Sequence, residues 1–234
     1  VITITLAASE DLAGSGAGSL DLDVGGTTRT ATFDSFSGGD AVFTHTVQSG
    51  DADGDGIAVT AINFTSGDLQ DAAGNDLDVS GFTTDNLGVN VDTTAPNPTG
   101  ITLDGSPTAG ANTVTYSVGF DEAIQNLDAG DFNLTGTVGS ASIDSVVEDG
   151  GADTWDVQLS IPDGENGELG LDLTTGDVTD TAGNALTAGA SIAPRTVDTV
   201  KPTVTGVTVP TPPGPTADSV DFNVTFDEDV QGFD

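Results

Sequence analysis

Hydrophobic and polar residues alternate along most of this chain. Residues 1–6 set Ile and Leu against Thr, and residues 20–24 set Leu and Val against Asp. A period of two sends one set of side chains to a buried face and the other to solvent, which predicts half-buried β-strands. The same reading predicts strands at 27–33, 41–48 and 57–65, with a last one near 88–91. Gly25-Gly26 separates two of these runs and predicts a hairpin. Seven more strands are predicted at 100–103, 112–120, 131–135, 141–147, 154–161, 168–174 and 191–197. Their inward residues would include Val114, Tyr116, Val118, Phe132, Leu134, Trp155, Val157, Leu159, Leu169, Leu171 and Leu173. Two further strands, 203–209 and 220–226, flank a stiff proline-rich turn at 210–215.

The order of these elements repeats. Val91-Asp92-Thr93-Thr94-Ala95-Pro96 returns 106 residues later as Val197-Asp198-Thr199-Val200-Lys201-Pro202. Phe120-Asp121-Glu122 returns at the same offset as Phe226-Asp227-Glu228. Two unrelated motifs with one offset indicate tandem copies of a domain. The expected organisation is a domain at 1–96 with an atypical or missing leading strand, a complete domain at 97–202, and the start of an incomplete third repeat at 203–234. Seven short strands separated by Gly, Asp and Asn turns predict an all-β protein of tandem immunoglobulin-like β-sandwiches. The third copy would be completed by further chain or by strands from another molecule.

Charge adds chemistry to this frame. The formal net charge is −35, with Arg29, Arg195 and Lys201 as the only basic side chains beside His45, and Asp outnumbers Glu by 32 to 6. Asp favours turns and caps over helices, so the charge is expected on loops and outer strand faces. Such a surface repels nucleic acid and anionic membranes and attracts divalent cations. The chain has no cysteine, so disulfides contribute nothing to its stability. No apolar run approaches the roughly 20 residues that cross a bilayer.

Strand parity predicts where the acids gather. Successive antiparallel strands alternate direction, so alternate loops share a pole. The loop after Phe120 and the loop after Thr174 fall at the pole where the hinge enters. The loop between the fifth and sixth strands falls at the opposite pole, and in the first copy it carries Asp51, Asp53 and Asp55. Asp51, Asp53, Asp55, Asp92, Asp121, Glu122, Asp177 and Asp180 are therefore expected to converge on the first junction. Asp163, Glu165, Asp198, Asp227 and Glu228 are expected at the second. With so few basic residues, the compensating charge would be Ca²⁺, which takes six to eight oxygens at about 2.3–2.6 Å. Asp51-x-Asp53-x-Asp55-Gly56 opens like an EF-hand loop, but its twelfth position is Ile62 and no helices flank it. Asn75 and Asn184 read as left-handed turn residues beside their glycines.

The segment Gly-Asp-x-x-Asp-x-Ala-Gly-Asn occurs at 67–75 and again at 176–184. Followed by Val-Asp-Thr-x-x-Pro, and with the Phe-Asp-Glu strand end, it resembles the bacterial immunoglobulin-like repeats of large surface adhesins. The resemblance covers nearly the whole chain. It implies secreted, cell-surface extender domains, often stiffened by calcium, whose partners are neighbouring repeats of the same chain. Ser9-Glu10-Asp11 departs from the Phe-Asp-Glu pattern in the first copy. No enzyme chemistry is legible: the single His45 has no Ser-His-Asp set around it, and no phosphate loop occurs. The expected role is structural. The alternatives are a polymer subunit completed by strand exchange, with other copies as partners in a filament, and a glycan- or protein-binding module.

Overall fold

The computed structural model describes residues 1–104, 112–210 and 219–232. It divides into two compact units, Val1–Pro96 with Thr179–Ala185, and Asn97–Val178 with Leu186–Asp234. The protein is all-β: among the described residues the regular structure is strand, apart from one 3-10 turn at Ala129–Asp131.

The first unit contains β1 (Ile2–Leu6), β2 (Ser19–Val24), β3 (Thr27–Ser37), β4 (Asp40–His45), β5 (Ala52–Asp53), β6 (Ala58–Asn63), β7 (Asp85–Asn86) and β8 (Val91–Asp92). Six of these form one antiparallel sheet in the order β1-β4-β3-β2-β6-β7. The Leu/Asp alternation of β2 does what its period requires: Leu20, Leu22 and Val24 are buried, whereas Asp21 and Asp23 face outward. Phe43, Ala31, Ile57 and Val59 complete this core. Each fully buried Leu or Phe contributes about 1.5–3 kcal/mol.

β3 is longer than its alternation predicts, because beyond its pairing with β2 it continues along β4, with a register shift between Phe33 and Ser35. Its first half pairs with β2 and its second half with β4, so the sheet continues through it. The short strand β5 pairs with β8, setting Ala52 opposite Asp92 and Asp53 opposite Val91. The hinge motif is thus a strand before it is a linker.

The second unit contains β9 (Pro98–Asp104), β10 (Thr113–Phe120), β11 (Ile124–Gln125), β12 (Phe132–Gly136), β13 (Ser142–Gly151), β14 (Thr154–Ser160) and β15 (Asn166–Leu173). β16 (Thr179–Asp180) groups with the first unit, and β17 (Ala190–Ser191) and β18 (Arg195–Asp198) complete the second repeat. One sheet runs β13-β14-β10-β9, and the other runs β12-β15-β17 with β18 also on β15. Between them lie Val114, Tyr116, Val118, Trp155, Val157, Leu159, Leu169, Leu171 and Leu173, as the alternation predicts. The Tyr116 hydroxyl donates to the Leu169 carbonyl at 3.2 Å, linking the two sheets through the core. Leu134, expected inward, is only half-buried against this core. The strand predicted at 191–197 is broken into β17 and β18, with Pro194 and its missing N–H in the gap.

The last stretch forms a two-stranded sheet of β19 (Val204–Thr208) and β20 (Asn223–Phe226). Phe222 is 62% exposed, whereas Tyr116, one repeat earlier, is 1% exposed. Most of the predicted turn at 210–215 lies outside the described residues. No helix among the described residues is long and apolar enough to cross a membrane.

Candidate functional site

Asp51 ends the turn Gln48-Ser49-Gly50-Asp51, closed by the Asp51 N–H on the Gln48 carbonyl at 3.0 Å. Its carboxylate is buried and fully engaged. Arg29 donates Nε at 2.8 Å and Nη2 at 2.6 Å to Oδ1, and the Gln48 N–H donates to Oδ2 at 2.8 Å. His45 is 4% exposed, with Nδ1 3.0 Å from the Thr30 carbonyl and Nε2 3.7 Å from Asp51 Oδ2. Burial pushes the Asp51 carboxyl up, but the Gln48 N–H and Arg29 outweigh it and hold the group below the usual carboxylate range.

Asp53 is buried as well, and accepts from the N–H groups of Gly25 and Gly56 at 2.8 Å and of Asp55 at 3.2 Å. Burial again pushes up, and these peptide bonds win. Asp55 is exposed, and its carbonyl accepts from Asn86 Nδ2 at 3.0 Å. The three carboxylates do not meet at one point. Where the sequence reading supplied a cation as compensating charge, the structure supplies Arg29 for Asp51 and peptide N–H groups for Asp53.

The two Asp-x-Ala-Gly-Asn loops share one geometry. Asp71 accepts from the N–H groups of Ala73 and Asn75 at 2.8 Å and from Asn75 Nδ2 at 2.7 Å. Asp180 accepts from Ala182, Asn184 and Asn184 Nδ2 at the same three distances. The left-handed residues are Gly74 (φ 87°) and Gly183 (φ 93°), not Asn75 and Asn184 as expected. The asparagines instead clamp the aspartate, which a short amide side chain does better than any turn requirement explains. The loops differ in surroundings. Asp180 is 1% exposed, and its loop belongs to the first unit, where Asn184 Nδ2 donates to the Asp92 carbonyl at 3.2 Å.

Carboxylate oxygens of Asp92 and Asp180 lie within 4.8 Å of each other. The ion pairs found among the described residues reach neither. Asp92 Oδ1 accepts from the Thr94 N–H at 2.8 Å. Burial pushes the Asp180 carboxyl up, and the Asn184 bonds hold it below its usual range. A shallow cavity of about 480 Å³ runs beside this pair, lined by Asp53, Asn90, Val91, Asp92, Thr181 and Ala182 among others.

In the second unit, Asp121 accepts from the Asn97 N–H at 2.7 Å, which holds its carboxyl low. Asp227 is held low in the same way by Thr203, whose hydroxyl donates at 2.5 Å and whose N–H donates at 2.7 Å. Both acids staple the start of a repeat to the end of its second strand. Glu122 is half-buried just past β10. Asp177 lies beside buried Asp131 and gives it a peptide N–H; burial, then the charges of Asp128 and Asp177, push the Asp131 carboxyl up. Asp163 pairs with Lys201 Nζ at 2.6 Å and accepts from Asn112 Nδ2 at 2.9 Å. Glu165 accepts from the Ser140 hydroxyl.

Asp198 accepts from the Val200 N–H at 3.0 Å and Asn166 Nδ2 at 3.1 Å. Beside it, Glu228 Oε1 is sealed from solvent with no hydrogen-bond partner among the described residues. Burial, then the charges of Asp198 and Asp227, push the Glu228 carboxyl up. An open cavity of about 700 Å³ contains Asp163, Asp198, Lys201 and Glu228 in its wall. The sequence reading missed Arg29, Asn97, Asn184, Thr93 and Thr199. A polar residue recurring at one repeat position was the available signal for the two threonines.

No protein-family model matches the chain, and no curated protein matches it. Among solved structures it is similar to the N-terminal part of the bacterial S-layer protein SbsC, at 19% identity and a TM-score of 0.30. The match spans 50% of this chain and 26% of that one, and a likeness so slight carries no functional argument.

Proposed function

We propose that this chain is a run of structural extender repeats, immunoglobulin-like in fold, from an extracellular adhesin or surface filament. Its Val-Asp-Thr hinges bind calcium. The observation that carries the reading is the pair Asp92 and Asp180, two carboxylates within 4.8 Å, one of them buried, with no basic side chain paired to either. Like charges this close repel unless a cation lies between them. The donors are all oxygen, which suits Ca²⁺ and not zinc, a metal that prefers His and Cys. Glu122 is the third ligand that the sequence reading assigns to this hinge. At the second hinge, Asp198 and Glu228 take the places of Asp92 and Glu122, and the orphaned Glu228 Oε1 is the atom a cation there would satisfy.

The role is mechanical, not enzymatic. A bound ion adds its binding free energy to the folded hinge, about 2.7 kcal/mol at a hundredfold excess over Kd. Neighbouring repeats of the same chain are the partners, and the charge of −35 disfavours nucleic acid and anionic membrane. Calorimetric titration tests the reading. Ca²⁺ should bind and raise the melting temperature, and Asp180→Asn should weaken binding at least about tenfold by removing one carboxylate charge. A chain that melts identically in calcium and in chelator would overturn it.

A second reading has one observation in its favour. Among the described residues, Val204 and Val207 on β19 and Phe222 just before β20 are exposed apolar side chains, whereas the corresponding strands of the previous repeat, β9 and β10, contribute to a buried core. Strands from another copy would cover them, making the chain a polymer subunit. Filaments that lengthen with protein concentration would favour this reading over a rod of fixed size.

A further inference from the structure

The threonine of each Val-Asp-Thr segment bonds to a glycine turn through both its N–H and its hydroxyl. In the first unit, the Thr93 N–H donates to the Asp51 carbonyl at 3.1 Å. Its hydroxyl accepts from the Gly50 N–H at 2.9 Å and reaches the carbonyls of Asp51 at 3.0 Å and Gln48 at 3.4 Å. In the second unit, the Thr199 N–H donates to the Glu165 carbonyl at 2.7 Å. Its hydroxyl accepts from the Glu165 N–H at 2.9 Å and donates to the Pro162 carbonyl at 2.7 Å. Gln48-Ser49-Gly50-Asp51 and Pro162-Asp163-Gly164-Glu165 are matching turns, with their glycines at φ 90° and 88°. A side chain at either glycine would be strained, so the turn shape is built into the sequence.

We propose that Thr93 and Thr199 are the positioning residues of the hinges, each clasping the hinge strand to the turn between the strands before it, with no cation involved. The chemistry is local. A residue with a β-hydroxyl directly after a strand offers a donor and an acceptor at one atom, and a glycine turn presents both an N–H and carbonyls to it. Thr199 is 3% exposed, so water does not replace these bonds. Valine has the same shape and neither function. The acidic residues Asp51 and Glu165 take part through their backbone carbonyls, which explains why their carboxylates can be occupied elsewhere, by Arg29 and by Ser140.

The inference rests on reading the Val-Asp-Thr segments as hinges, but it separates from the calcium proposal. In the clasp, each hinge is fixed to the repeat it leaves before any ion binds. Calcium then acts only on what lies beyond the threonine.

Hydrogen exchange on the full chain, in Ca²⁺ and in EGTA, tests it. Wild-type peptides covering 47–56 and 88–94, and 161–166 and 195–200, should be equally protected in both buffers. Thr93→Val should speed exchange in the first pair by about tenfold, and Thr199→Val in the second pair, while the β2, β6, β10 and β14 amides keep their protection. Thr93→Ser and Thr199→Ser retain the hydroxyl and should behave as wild type. Loss of clasp protection in wild type on adding EGTA, or unchanged exchange in both valine variants, would overturn the clasp. Protection that is independent of calcium everywhere, around residues 121–124 and 179–185 included, would overturn the calcium reading and leave the clasp standing.

Discussion

The two turns bonded by Thr93 and Thr199 place a left-handed glycine at the same point, at φ 90° and 88°, and differ in charge. At Gln48-Ser49-Gly50-Asp51 the acid is buried and paired with Arg29, whose side chain is 25% exposed. At Pro162-Asp163-Gly164-Glu165, Glu165 is half-buried and Asp163 lies outside, paired with Lys201, their side chains 59% and 77% exposed. One repeated backbone device thus carries two unrelated electrostatic solutions. The lesson is that the clasp belongs to main chain and threonine, while the carboxylates are free to serve whatever surrounds each turn.

Acid should separate the two units most. In the first, Asp51, Asp53 and Asp180 are buried carboxylates held below their usual range by hydrogen bonds that outweigh burial. A folded pKa below the unfolded one gives stability that is present above about pH 4 and lost as pH falls through the folded value. In the second unit the lowered carboxyls Asp121, Asp163 and Asp227 are exposed and screened by solvent, whereas Asp131 and Glu228 are raised, chiefly by burial, and have the opposite sign: their contribution is present at low pH and lost as pH rises through their folded values. The first unit should therefore unfold first on acidification. Trp155, the only tryptophan, reports the second unit. Far-UV dichroism should begin to change at higher pH than tryptophan fluorescence, and coincident transitions would contradict this.

Next in size is Arg29→Ala. It leaves a buried carboxylate without its charged partner, which destabilises by about 3 kcal/mol. The urea midpoint of the first unit should fall, and that of the second should stay. The Asp clamps offer a smaller contrast. Asp180→Ala removes a buried carboxylate from the exposed Ala182 and half-buried Asn184 donors and should cost about 1 kcal/mol. Asp71→Ala breaks the same bonds in an exposed loop, where water replaces them, and should lower the melting temperature less. Smallest of all is Lys201→Ala. Its ion pair is exposed, so thermal stability should not move measurably. Equal effects of Arg29→Ala and Lys201→Ala would refute the contrast between the turns.

Much of the fold is legible in the sequence because burial has a period. The Leu/Asp run of β2 and the Val/Tyr/Val run of β10 place their own faces, and the inward residues of the second repeat are buried as read, except that Leu134 is only half so. Alternation says nothing about partners, so the turnover of β3 from β2 to β4 was not visible. The candidate site was less legible. Arg29 sits in a Thr-rich alternating run and reads as an outward residue, since its partner Asp51 is 22 positions away. Counting charges pointed to carboxylates needing cations, but peptide N–H groups compensate Asp53, Asp121 and Asp227 without appearing in any charge count. Thr93 and Thr199 were hidden because a threonine just past a strand carries no charge to draw attention to it. Asp92 and Asp180 come together as acids read from the two motifs that contain them.

The calcium hinge itself is tested most directly by small-angle X-ray scattering of the full chain in Ca²⁺ and in EGTA. The reading predicts a longer, narrower distance distribution in calcium, and a shift to a broader one when chelation lets the hinge carboxylates repel. Superimposable curves in the two buffers would contradict it.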